Sequence, residues 1–229
     1  MFGLAGALSH PQLKDSIEYY PQAWAAQPSQ MISYVSCHDD HCIGDRLKIT
    51  APKADVRQRM RLLKLAETTV FTSQGVPFIF TGDELMRDKK GVKNSYNSPD
   101  SINVIDWRLK YQHADAYNYI RQLIALRKAH PAFRLGSAEK VYRHLEFIQP
   151  ESKGVVAFRI KGLPEGESWQ DITVILNAGN QTVKLPVRQG NYRVVCYDGK
   201  IAAEKGLHDV NGAILAAAPQ SATIAYRKQ

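Results

Sequence analysis

Hydrophobic spacing changes character several times along this chain of 229 residues. Residues 31–37, MISYVSC, are a short, mostly apolar run of the kind that suits a strand buried on both faces. The run stops at four ionisable residues, His38, Asp39, Asp40 and His41. Over residues 55–75 the period becomes three to four. Val56, Met60, Leu63, Ala66 and Val70 recur on one face while Arg57, Arg61 and Lys64 take another, which predicts a helix. Gly75 reads as its C-terminal stop, with Pro77 just beyond.

Residues 76–82, VPFIFTG, form a second apolar strand that also ends in acid, at Asp83 and Glu84. A long polar loop over 86–107 follows, of a length that compact domains keep for function or leave without regular structure. A second helix is expected over about 114–130, with Tyr117, Ile120, Leu123, Ile124 and Leu126 on or near one face and Pro131 closing it. Strand, loop, helix is thus written twice, with polar groups at the C-terminal end of each strand. Parallel strands covered on both faces look like this, as do two consecutive units of a βα-barrel.

Beyond residue 136 the pattern turns to short strand-like runs: VYRHLEFI, GVVAFRI, DITVILNA, QTVKLPV, YRVVCYD and SATIAYR. Gly, Asn, Asp and Pro punctuate them with no helical period between, which predicts an all-β module, most simply a small antiparallel sandwich. The expected fold class is therefore α/β plus all-β. Residues 1–135 form the strand–helix part and 136–229 the β-sandwich. His144 and His208 stand alone in that module and read as surface or packing residues.

Composition narrows the function classes. A 44% hydrophobic, 23% charged chain is an ordinary globular one, and no apolar run approaches the roughly 18–20 residues of a membrane helix. The N-terminus has no basic region ahead of its short apolar stretch, so no signal peptide is read, and the compartment stays open. The net charge of +8 raises the question of nucleic acid, but the basic residues are spread through both halves and their densest group, RDKKGVK, falls in the loop. A solvated basic surface is the expectation, with no nucleic-acid or membrane partner. Cys37, Cys42 and Cys196 match no metal or redox spacing and read as free thiols. No cofactor and no metal site are expected.

Several stretches carry a family resemblance. ISYVSCHDD resembles the fourth signature region of the alpha-amylase family of glycoside hydrolases, at the end of the seventh barrel strand. GVPFIFTGDEL looks like the eighth strand of that barrel, and KKGVKNSYNSPDSINVIDW resembles the following loop in the type I pullulanases, which cut α-1,6 linkages. HPQ…WAAQPSQMISYVSCHD agrees with the same subgroup, and the NSYNSPDSIN loop speaks against α-1,4 amylases and branching enzymes. The resemblance covers essentially the whole chain. It implies the C-terminal quarter of a (β/α)8 barrel, its seventh and eighth units, followed by the family's C-terminal β-sandwich.

The resemblance also implies roles. Retaining glycoside cleavage uses a nucleophilic carboxylate and an acid/base carboxylic acid about 5–5.5 Å apart. In the family these stand on the fourth and fifth strands, which this chain does not include. Asp39 matches the third carboxylate, a transition-state stabiliser that holds sugar hydroxyls, and His38 the histidine bonded to the same sugar. Glu84 is expected to orient neighbours. Asn94, Tyr96, Asn97 and Asp100 are expected to form a substrate-facing wall for an α-glucan, or else a loop bonded to itself. Asp40 stands where the family more often has Asn. A second carboxylate beside Asp39 would raise a pKa unless strand alternation turns the two apart.

Two of eight units leave open strand edges and bare apolar faces. The expectation is a chain inactive by itself that pairs with the remaining barrel or self-associates. The alternative is a non-catalytic α-glucan-binding module, for which Trp169, Tyr192 and Tyr197 are the available aromatics.

Overall fold

The computed structural model describes residues 1–13 and 22–228. Its helices are α1 (Ile43–Thr50), α2 (Val56–Thr72), α3 (Asp100–Asn103), α4 (Leu109–Gln112), α5 (Ala114–Ala129) and α6 (Ala138–His144). The first strands are β1 (Ile32–Ser33) and β2 (Val76–Pro77), which pair in parallel through Ile32–Val76 and Ser33–Pro77. Helix α2 connects them. Asp55 caps it by accepting from the Gln58 amide at 2.7 Å, and Leu63, Val70 and Phe71 bury its apolar stripe. Helix α5 packs on α2 and buries Tyr119, Ile120, Leu123 and Leu126.

The parallel strands are far shorter than the apolar runs suggested. A ladder needs a neighbour, and each strand here has one on a single side only. Ile32 stays 55% exposed and Val76 47% exposed, so the runs suited to burial on both faces are open on one. Gly75 does not stop α2 either: the helix ends at Thr72, and Ser73 is already extended. What Gly75 permits is close approach, because a Cβ there would lie 2.7 Å from the Met31 carbonyl oxygen in the neighbouring chain segment.

The rest of the chain forms β3 (Leu145–Ile148), β4 (Val155–Ile160), β5 (Gln170–Asn177), β6 (Val183–Tyr197), β7 (Lys200–Ile201), β8 (His208–Ala217) and β9 (Ser221–Arg227). All pair antiparallel in one seven-stranded sheet, ordered β3-β4-β5-β9-β6-β7, with β8 on β6. Three departures from the sequence expectation have local causes. VYRHLEFI is half helix, since Ser137 caps α6 by accepting from the Lys140 amide. QTVKLPV and YRVVCYD join into the single strand β6, whose register shifts between Pro186 and Gly190, where proline withholds a ladder donor. β8, which carries no clear alternation, exists because β6 offers it a partner.

Alternate residues of β5 point into two cores. Ile172, Val174 and Leu176 join Leu63, Phe71 and Tyr119 of the helices, with Ile224 of β9. Ile175 faces the other way, with Ala157, Ala225 and the residues Leu185, Leu215 and Ala217 of the β6–β8 hairpin. The two clusters thus lie on opposite faces of β5 within the one sheet. At the open edge, the Gln12 side chain occupies both backbone groups of Phe147, donating to its oxygen at 2.9 Å and accepting from its amide at 2.8 Å. It does what a further strand would do.

Much of the basic face of α2 is turned to the sheet, although Arg57 is exposed. Gln58 bonds Gln220 at 3.0 Å, Arg61 reaches the Pro219 oxygen at 2.6 Å and Asp198 at 2.8 Å, and Lys64 donates to Gly199 at 2.9 Å. Asp198 and Gly199 both have positive φ, the conformation of a tight hairpin turn between β6 and β7. One helix face therefore grips two turns of the sheet. Residues on helices and sheet share one continuous apolar cluster.

Candidate functional site

Where β1 and β2 end, two loops meet and are tied by reciprocal carboxylates. Asp83, in the turn after β2, accepts from Ser36 Oγ at 2.5 Å. Asp45, in α1 beyond the other end of the first loop, accepts from the Lys89 amide at 2.7 Å and the Gly91 amide at 2.8 Å. Cys42 Sγ lies 3.4 Å from the Arg87 carbonyl oxygen, and Lys89 Nζ reaches the His38 carbonyl oxygen at 3.4 Å. The approach is close enough that a Cβ on Gly44 would collide with the Arg87 backbone. The chain between Ser36 and Asp45 is consequently held at both ends against the loop over 82–91.

That segment carries His38 and Asp39. Both are exposed, and neither side chain makes a hydrogen bond among the described residues. Asp40 turns away from them. The strand has already ended at Ser33, so alternation does not decide its direction; its left-handed φ of 62° does. Its carboxylate accepts from the His41 amide at 2.8 Å and pairs with Arg46 at 3.0 Å. The amide bond, with Lys93 and Arg46 nearby, lowers its pKa, so it stays ionised and occupied.

Glu84 lies elsewhere. Its carboxylate accepts from the Gly82 amide at 3.0 Å, and its side chain lines a cavity of about 270 Å³ with Tyr117, Ile120 and Arg121 of α5. Asn94, Tyr96, Asn97 and Asp100 are all exposed, Tyr96 by 83%, and their side chains are unbonded among the described residues. The loop is not held by those polar side chains. Asn103 Nδ2 donates to the carbonyls of Ser95 (2.7 Å) and Ser98 (2.9 Å), and Arg87 in turn donates to the Asn103 carbonyl.

Sequence analysis noted Asp83 only as the acidic end of the second apolar run and gave no supporting role to Asp45, Arg87, Lys89 or Asn103. The signal in sequence is weak: burial sets Asp45, Asp83, Arg87 and Lys89 apart, and only its bonds to Ser95 and Ser98 set the half-buried Asn103 apart. Behind the loops sits a further oddity. Glu67 of α2 is fully buried, and among the described residues neither of its carboxylate oxygens nor Asp83 Oδ1 has a hydrogen-bond partner. Desolvation, with the charges of Asp83 and Glu84 adding, pushes the Glu67 carboxyl up to about 8; desolvation pushes Asp83 up to about 6 against the bond from Ser36. Burial also holds the Cys42 thiol up at about 11, so it is an inert neighbour. All three cysteines are free.

The aromatics of the β-module form no exposed platform. Tyr192 is buried, and Trp169 is stacked between His130 (ring centroids 3.5 Å apart) and Tyr226 (4.3 Å). A cavity of about 430 Å³ lies under β1, apolar and lined by Leu4, Ile32, Tyr34, Leu65 and Val156; neither His38 nor Asp39 lines it.

Comparison with known proteins accounts for this layout. Residues 141–200 match the family model described as "Pullulanase, all-beta domain". The pullulanase of Bacillus subtilis (strain 168) is 42% identical over 172 residues, 74% of this chain and 24% of that protein. An isoamylase of a Flavobacterium species is 30% identical over 152 residues, covering 57% of this chain and 20% of that one. Among solved structures, the type I pullulanase from Bacillus subtilis str. 168, complexed with maltose, superposes with a TM-score of 0.89 at 34% identity, over 100% of this chain and 31% of its own. The pullulanase from Paenibacillus barengoltzii, in complex with maltohexaose and alpha-cyclodextrin, gives 0.84 at 33% identity, over 99% and 33%. The chain thus spans about a fifth to a third of the length of these relatives. Over that span it belongs to the type I pullulanases of the alpha-amylase family of glycoside hydrolases.

Proposed function

We propose that the chain supplies one wall of a site that cleaves α-1,6 branch linkages in an α-glucan of the pullulan, starch or glycogen type. Residues 1–135 act as the seventh and eighth units of a (β/α)8 barrel, and 136–229 as the β-sandwich that follows. The observation that carries this is the pinned turn after β1, which presents His38 and Asp39 to solvent with no internal partner among the described residues. A carboxylate so placed accepts from the 2- and 3-hydroxyls of a sugar, and those bonds strengthen as positive charge develops on the ring. His38 binds the same sugar, and the loop bearing Asn94, Tyr96, Asn97 and Asp100 borders the branch point. Glu84 orients its own turn and does not touch the reacting bond.

The nucleophile and acid/base groups come from other barrel strands. Open apolar positions at Ile32, Tyr34, Val76 and Phe78 support contact with that remaining barrel, or with a second copy where it is missing. The purified 229-residue chain is expected to release no reducing ends from pullulan. Joined to the remaining barrel of a pullulanase it is expected to gain that activity, and Asp39→Asn to abolish the gain, by about 100-fold or more. Turnover by the chain alone would refute the division of labour. Full activity of the joined Asp39→Asn enzyme would refute the site.

A further inference from the structure

The two carboxylates that tie the loops are not equivalent. Asp45 is saturated: Oδ2 takes the Lys89 amide and the Cys42 thiol, and Oδ1 takes the Gly91 amide. Asp83 is half used. Its Oδ2 holds Ser36, while Oδ1 is buried and has no hydrogen-bond partner among the described residues. No cation forms an ion pair with it among the described residues. Glu67 faces it from α2, Glu84 stands beside it in the same turn, and the Cys42 thiol approaches from the first loop. Arg87 donates to the carbonyls of Thr81 and Asn103 with its Nε unpartnered among the described residues, Lys89 donates to that of His38, and His113 at the start of α5 bonds the Leu85 carbonyl oxygen of the same turn at 2.8 Å. Among the described residues, neither Asp83 nor Glu67 has an ion-pair partner.

We propose that Asp83 is a positioning residue for the His38–Asp39 turn, and that a proton on its free Oδ1 locks the turn against the 82–91 loop. The proton removes a buried charge whose desolvation outweighs the support of Ser36 and of the Ile43 and Phe80 amides, and it leaves Oδ2 free to accept from Ser36. The sign follows from linkage. Asp83 holds its proton more tightly with the turn closed over it than when lifting the turn exposes it to water, so closing takes up a proton. The turn is therefore tighter in mild acid and loosens as pH rises. The proposal rests on the glycosidic reading only for its purpose, since it regulates the turn that bears Asp39.

The test is amide hydrogen exchange in the 229-residue chain, corrected for intrinsic rates, over residues 36–47 and 87–91 between pH 4 and 8. The reading needs no glucan, so its failure is separate from failure of the proposed activity. Protection in the wild type is expected to fall by up to about 100-fold as pH rises from about 4 to 6. Asp83→Asn, which is neutral and still offers an oxygen to Ser36, is expected to hold the low-pH protection throughout. Asp83→Ala is expected to lose protection at every pH. If Asp83→Ala fails to fold, Ser36→Ala removes only the donor, and is expected to lower protection in these segments while β5 stays protected. A flat wild-type profile, a pH step that survives in Asp83→Asn, or full protection in Ser36→Ala would overturn the proposal.

Discussion

Lys64 Nζ sits 2.6 Å from Asp115 Oδ2 and 2.9 Å from the Gly199 carbonyl oxygen, joining α2 to α5 and to the β6–β7 turn with one ammonium. The lysine is buried, whereas its carboxylate partner is mostly exposed. The two ends should therefore differ in worth. Lys64→Met removes a buried donor and strands the Gly199 carbonyl, at an expected cost of about 1–3 kcal/mol. Asp115→Asn disturbs a solvent-screened pair and should cost less than about 1 kcal/mol. Urea unfolding of both variants checks this; equal losses would show that the exposed carboxylate matters as much as the turn contact.

Glu67 predicts how stability depends on pH. Its carboxyl is raised in the folded chain to about 8 from an ordinary 4.5, so the folded state holds a proton that the unfolded state has released. Stability is then highest below about pH 4.5 on this account and declines as pH climbs toward 8, with Asp83 adding to the slope between about 4 and 6. Glu67→Gln should leave stability near pH 4.5 almost unchanged and raise it at pH 8 by roughly 3–5 kcal/mol, taking about 1.4 kcal/mol per unit of raised pKa. Melting curves of the two proteins across that range decide it, and parallel curves would exclude the effect.

Gly75 offers a packing test. A methyl group there meets the Met31 carbonyl oxygen at 2.7 Å and Ser33 Oγ at 2.9 Å, and backbone gives way poorly. Gly75→Ala is expected to cost about 1–3 kcal/mol by forcing β1 from β2. Loss of amide protection at Val76 and Phe78, which donate to Met31 and Ser33, would locate the damage. Unchanged protection there would mean that the strands can part without loss.

The chain's periodicities were enough to place α2 and α5 within a few residues, because each buries a continuous stripe against a partner within the same chain. β4, β5 and β9 were legible for the same reason, and so was the polar end of each apolar run, where His38 and Asp39 sit. Tertiary structure decided the rest. Whether VPFIFTG pairs along its length depends on neighbours that no local pattern supplies, and among the described residues its pairing stops after Phe78, which donates to Ser33. Arg61 and Lys64 look like a polar helix face until the sheet's turns arrive to accept from them. Asp83 reads only as the acidic end of an apolar run and Asp45 carries no local signal; contacts 44 to 47 residues apart in sequence make them the ties that hold the segment bearing His38 and Asp39. Local sequence reports which faces are fit for burial; which residues meet across the chain is set by packing, whose partners lie far away along it.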